Sequence, residues 1–109
     1  MKKIYLASPY SHPDPKVQEA RYREVCKIAA DLMWENPDSL IFSPIAHSHG
    51  IALQGYLAKG YAFWMEFDRE FIRWADEIWI VDMIGRDDSK GICKEVRYAM
   101  NNGKKVVWL

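Results

Sequence analysis

Two carboxylates stand where ordinary packing would not put them. In the segment "DDSKGICKE", residues 87–95, Ser89, Gly91 and Glu95 follow at intervals of two and four residues, where an apolar strand gives way to a helix. A hydroxyl and free main-chain N–H groups at a helix start can hold an anion such as a phosphate. A glutamate in the first turn could then be aimed at that ligand. The same three residues also suit a plain helix start, since serine caps helices and the helix dipole favours an acid there by roughly 0.3–1 kcal/mol. The second acid is Asp68. On a helical wheel Trp64, Phe67, Phe71, Ile72 and Ala75 form one apolar stripe, with Glu66, Arg69, Glu70 and Arg73 opposite. Asp68 falls inside the stripe, four residues after Trp64 and three before Phe71. Burying an unpartnered carboxylate is expensive. Asp68 therefore either bonds a neighbour at the stripe's end or faces a cleft.

The elements that would position these acids can be read along the chain. Its 109 residues suit one domain, residues 1–109, with one core. Half of them are hydrophobic, and five Trp, six Tyr and four Phe argue for a folded globular protein. Fifteen basic residues balance fifteen acidic ones, so no large basic surface for a nucleic acid polymer or a membrane is expected. Two cysteines, Cys26 and Cys93, read as reduced thiols of a cytoplasmic protein. "KKIYLAS" (2–8) reads as a buried strand, and Asp14-Pro15 as a cap and first turn of a helix running to about Asn36. Val17, Val25, Ile28, Ala29 and Leu32 form its inward face. "SLIFSP" (39–44) is a second strand. Residues 44–60 lack periodicity, contain Gly50, Gly55 and Gly60, and read as a long functional or mobile loop. A second helix covers about 61–75, a third strand 77–83, a loop 84–91, a third helix about 92–101, and a last strand 104–109. On the third helix Ile92, Val96 and Ala99 face inward, with Glu95 bordering them. This βαβαβαβ order with apolar, non-alternating strands implies an α/β fold: a doubly wound, mostly parallel sheet of about four strands with helices on both faces. Ligands bind such sheets beyond the carboxyl ends of the strands. The segments after Ser8, Pro44 and Met83 meet there.

The chain resembles the nucleoside 2-deoxyribosyltransferase-like superfamily. The likeness is carried by "IYLASPYS", "FSPIAHSH", "DREFIRWADEIWIV" and "SKGICKEVRYAMNNGKKVV", and it is strongest toward a small branch near the nucleoside 5′-monophosphate N-glycosidases. It implies a Rossmann- or flavodoxin-like fold, assembly into a homodimer or higher homo-oligomer, and cleavage of the N-glycosidic bond of a small nucleoside or nucleotide without a cofactor. Matched residue by residue, the nucleophile that attacks the anomeric carbon is Glu95. The acid toward the base is Asp68, because Ala75-Asp76 follows at the family's spacing. Tyr5, on the first strand, positions the nucleophile. Six residues before the nucleophile, free-nucleoside transferases carry an Asp and monophosphate hydrolases a Ser; here it is Ser89. A hydroxyl with the Gly91 N–H and a helix start attracts a phosphate that an Asp would repel. Asp87 and Asp88 oppose this, and Arg86 and Lys90 offset them.

The expected site is therefore Glu95, Asp68 and Tyr5 for catalysis, with Ser8, Tyr10, His47, Ser89 and Gly91 contacting substrate. Tyr10 or Trp64 would stack on the base, and Arg21 is a further candidate for phosphate or sugar. No metal is expected: His47, His49 and His12 lack the ligand number and spacing of a metal motif. No G-x-G-x-x-G follows the first strand, which disfavours a dinucleotide site, and no paired acids follow it as a receiver domain would require. The alternatives are a nucleoside deoxyribosyltransferase and a nucleotide-binding module without catalysis.

Overall fold

The computed structural model describes residues 1–55 and 60–109. The first strand, β1, spans Lys2–Ala7, and Asp14 caps helix α1, Pro15–Glu35. The Asp14 carboxylate accepts the Lys16 N–H at 2.9 Å, with proline next to it in the first turn. Asn36 ends α1, and β2 follows at Ser39–Phe42. Helix α3 covers Tyr61–Trp74, β3 Glu77–Ile80, α4 Lys90–Asn101 and β4 Lys105–Trp108.

All pairings are parallel, in the order β2-β1-β3-β4. The chain thus leaves β1 toward β2 on one side and returns to its other side at β3. A crevice opens at such a reversal, above the carboxyl ends of β1 and β3. Side chains of β1 alternate between two cores. Ile4 and Leu6 join Val25, Ala29, Ile41, Val81 and Met83, with Ile28 and Leu32 of α1 packed against them. Tyr5 and Ala7 join Ile72, Ala75, Ile78, Ile80, Ile92 and Ala99 on the side of α3 and α4. The sheet is therefore covered on both faces, as the non-alternating strands imply.

Three local expectations need correction. Residues 44–60 are not one long loop: helix α2 occupies Pro44–Leu53. Ser43 caps it, its hydroxyl accepting the Ala46 N–H at 3.1 Å, and Pro44 opens it. Gly50 sits within the helix, and residues 56–59 of that segment lie outside the described residues. Helix α4 starts two residues earlier than expected, at Lys90, so Glu95 lies in its second turn and gains little from the helix dipole. Arg69 is not on a solvated face but half-buried, its guanidinium 5.0 Å from the centre of the Tyr98 ring.

Candidate active site

A cleft of about 860 Å³ opens where the three expected segments meet. Ser8, Tyr10 and His12 come from the segment after β1, Ile45 and His49 from α2 beyond β2, and Gly85, Asp88 and Ser89 from the segment after β3. Asp68 of α3 and Glu95 of α4 both line it. Two acids far apart in the chain are thus brought to one cavity.

Glu95 stands on the inward face of α4 between Ile92 and Ala99 and is only 8 % exposed. The hydroxyl of Tyr5, itself wholly buried on β1, donates a short hydrogen bond to its carboxylate. Burial pushes the Glu95 carboxyl up to about 8, against the downward pull of the Tyr5 hydrogen bond and with a further upward push from the Asp68 charge. Burial alone pushes Asp68 up to about 7. Burial, and then the Glu95 and Asp68 charges, hold the Tyr5 phenol well above its usual value, so it remains a donor. The two carboxyls lie so close in affinity that they compete for one proton. The Tyr5 hydroxyl narrows the gap by favouring charge on Glu95, yet burial outweighs it, and without ligand Glu95 holds the proton more tightly than Asp68.

The remaining expected residues separate into those at the cleft and those away from it. Ser8 lines the cleft, is 6 % exposed, and its hydroxyl has no hydrogen-bond partner among the described residues. A buried polar atom left unpaired calls for a partner, and a ligand in the cleft would be one. Tyr10, Trp64, Ser89 and Gly91 line the same cleft. The Ser89 hydroxyl caps α4 by accepting the Ile92 N–H at 3.1 Å, so capping and lining coincide. A methyl group on Gly91 would meet only the Ser89 hydroxyl, at 3.7 Å, so internal packing does not demand glycine there. Arg21 lines the cleft, its guanidinium donating to the Ser11 carbonyl at 3.0 Å and lying over Gly85. Gly85 has φ +95°, and a side chain there would stand 2.6 Å from the Arg21 Nη2.

His47 is not among the residues lining the cleft. It is exposed, with its ring 5.6 Å from that of Phe67 and its Nδ1 3.1 Å from the Ser48 hydroxyl. Arg86 turns away as well, donating to the Leu109 carbonyl at 2.8 Å and the Val81 carbonyl at 3.2 Å. Of the two cations expected to offset Asp87 and Asp88, Lys90 lines the cleft and Arg86 does not.

Besides His12, the cleft is lined by His49, which was not among the expected substrate contacts. Ile45, Ser48, His49 and Ala52 all line the cavity, and their spacing of three, four and seven is one face of a helix. That signal was present in the sequence but hidden once 44–60 was read as loop. Two residues away on α2, His47 must point elsewhere. Among the described residues no group of three or more His, Cys, Asp or Glu could hold a metal ion. None of the described helices is long and apolar enough to cross a membrane.

Fold and cleft can now be set beside known proteins. A solved 2-deoxyribosyltransferase from the psychrotolerant bacterium Bacillus psychrosaccharolyticus matches with a TM-score of 0.62 and 26 % identity, over 97 % of this chain and 70 % of that one. No curated protein matches. The chain is a member of the nucleoside 2-deoxyribosyltransferase-like superfamily. Within it, residues 2–109 match the model of DUF1937, a domain of unknown function, and the protein belongs to that family.

Proposed function

We propose that the protein cleaves the N-glycosidic bond of a nucleoside 5′-monophosphate. The observation that carries this reading is the buried Glu95, held by the Tyr5 hydroxyl and facing the same cleft as the protonatable Asp68. The likeness to a 2-deoxyribosyltransferase supports a nucleoside as the substrate class.

The Glu95 carboxylate attacks the anomeric carbon as the bond to the base breaks, and positive charge develops on the sugar. Asp68 gives its proton to the departing base. The product is a neutral base and a glycosyl ester on Glu95. Water then attacks the anomeric carbon, Asp68 takes the water's proton, and the Glu95 carboxylate leaves with retention at the sugar. Substrate moves the proton from Glu95 to Asp68: it displaces water from around Asp68, and the positive charge that develops on the sugar as the bond breaks stabilises the Glu95 carboxylate. The phosphate is assigned to the start of α4, where Ser89, Lys90 and Gly91 line the cleft that Arg21 also lines. Ser8 and Tyr10 contact the sugar or base, and Trp64 offers a stacking face.

Purified protein incubated with nucleosides and their 5′-monophosphates should release free base from the monophosphates. Glu95→Gln should lose this release by at least about a hundredfold, and Asp68→Asn by a comparable factor, the scale of acid–base and nucleophilic contributions. Equal release by wild type and Glu95→Gln would end the nucleophile assignment. If water is replaced by a second base as acceptor, the same site performs deoxyribosyl transfer, and mixed incubations would yield exchanged nucleosides rather than free sugar phosphate. Saturable binding with no bond broken in either assay would identify a binding module.

A further inference from the structure

Behind Tyr10 the cleft carries a second polar assembly, built on His49 and Glu19, that the proposed chemistry does not use. His49 of α2 is 6 % exposed, yet both ring nitrogens are engaged. Its Nε2 lies 2.6 Å from a Glu19 carboxylate oxygen on α1, and its Nδ1 lies 2.7 Å from the Tyr10 hydroxyl. The ring stacks on Tyr22 at 4.3 Å and 22° and meets Tyr10 edge-on at 82°. Glu19 also accepts from the Arg23 Nε at 3.1 Å. These contacts leave the imidazole no freedom to turn.

The hydrogens in this chain follow from what each group can donate. The His49 bond holds the Glu19 carboxyl below its usual range, aided by Arg23. Glu19 is therefore an acceptor only, and Nε2 must carry the hydrogen. A ring with its one hydrogen on Nε2 offers Nδ1 as an acceptor, and the 2.7 Å contact then commits the Tyr10 O–H to it. Burial, and then the Glu19 charge, raise the Tyr10 phenol, so it keeps that proton. Its oxygen retains lone pairs, Tyr10 lines the cleft, and no donor reaches that oxygen among the described residues.

We infer that Tyr10 is a specificity-determining contact, turned by Glu19 and His49 into a hydrogen-bond acceptor that selects ligands bearing an N–H or O–H donor at one position. Glu19 and His49 are positioning residues and touch the ligand only through Tyr10. The inference rests on the nucleotide reading of the cleft and names what that reading leaves open: which substituent is read. Two groups on a nucleotide supply such a donor, an exocyclic amine on the base and the 2′-hydroxyl of ribose. A site built around a committed acceptor rejects the analogue lacking the donor more strongly than an apolar wall would.

The test is calorimetric binding to Glu95→Gln, which holds substrate without turning it over. Each common nucleoside 5′-monophosphate is paired with its counterpart lacking the exocyclic amine where it has one, and each ribonucleotide with its 2′-deoxy counterpart. One class of pair should differ by about tenfold in Kd, the worth of one hydrogen bond to a buried acceptor, and adding Tyr10→Phe should shrink that ratio to within about twofold. His49→Phe keeps a ring against Tyr22 but frees the Tyr10 hydroxyl to rotate, and should lose most of the ratio. The ¹⁵N shifts of His49 should report the Nε2–H tautomer and change in Glu19→Gln. No binding of any nucleotide would overturn both readings. Binding with no such ratio in either class, or a ratio that survives Tyr10→Phe, would overturn this inference and leave base release untouched. A Tyr10-dependent ratio in a protein whose unaltered form releases no base would sustain the inference and sink the glycosidase.

Discussion

Replacing Glu95 with glutamine should make the protein more stable at pH 8 while changing little at pH 5. The folded Glu95 holds its proton up to about 8, because burial disfavours its charge, whereas the unfolded carboxyl releases it in the ordinary carboxylate range. A folded affinity raised in this way contributes stability that is fully present below the unfolded value and is lost as pH rises toward the folded one. Each pH unit in that window removes at most about 1.4 kcal/mol, so between pH 5 and pH 8 the ceiling for Glu95 alone is about 4 kcal/mol. Water in an open cleft screens buried charge, so about half of that ceiling, about 2 kcal/mol, is the expectation. In a domain of this size that is about 8 °C in Tm. Glutamine carries no charge to desolvate, and its amide oxygen still accepts from Tyr5. The assay is the difference in Tm between Glu95→Gln and wild type, from pH 5 to pH 8 by scanning calorimetry. Titrating groups that do not feel the Glu95 charge are common to both proteins and cancel; Asp68 and Tyr5 feel it, so the difference reads the coupled group. The difference should grow by about 8 °C in favour of the variant. A difference that stays constant, or a variant less stable at pH 8, would refute a buried, raised Glu95 and the paired-acid site with it.

Three further substitutions test separate parts of the cleft. Tyr5→Phe removes the hydrogen bond that lowers the Glu95 affinity, so the ascending limb of the pH–kcat profile should move to higher pH; an unmoved limb would show that Tyr5 does not tune Glu95. Gly85→Ala forces a side chain onto φ +95° and against Arg21, and should cost about 1–3 kcal/mol in urea unfolding while raising KM for the phosphorylated substrate. Gly91→Ala has internal room and should gain up to about 1 kcal/mol of stability. It should still raise KM if a phosphate approaches that N–H, and unchanged kinetics would move the phosphate elsewhere.

The fold was legible because each strand is apolar on both sides and each long helix carries a clear inward stripe. Asp68 was legible for the same reason, as a polar interruption in a strong pattern. The α2 wall was not. Its apolar residues are spread around the helix rather than gathered in a stripe, it contains Gly50, and its start depends on one serine hydroxyl, so no helical period stands out. The error then spread to the histidines. Without a helix there is no reason to prefer His49 over His47, and the two differ only in the direction each takes from the helix axis. Arg86 illustrates a different limit: nothing local says that its guanidinium will bond the Leu109 carbonyl, twenty-three residues away, instead of facing a phosphate.

The placement of the acids also explains why they can coexist. Glu95 and Asp68 come from two helices on the same side of the sheet, packed on the core that holds Tyr5. The hydroxyl that stabilises charge on Glu95 comes from the strand, where close packing holds the wholly buried Tyr5. That donor lowers the Glu95 affinity toward that of Asp68, so that a bound substrate can tip the proton from one to the other. Loosening β1, for example with Leu6→Ala on the opposite face, should lower kcat more than it raises KM, because it disturbs that donor while leaving the cleft wall intact; equal effects on both would locate the control elsewhere.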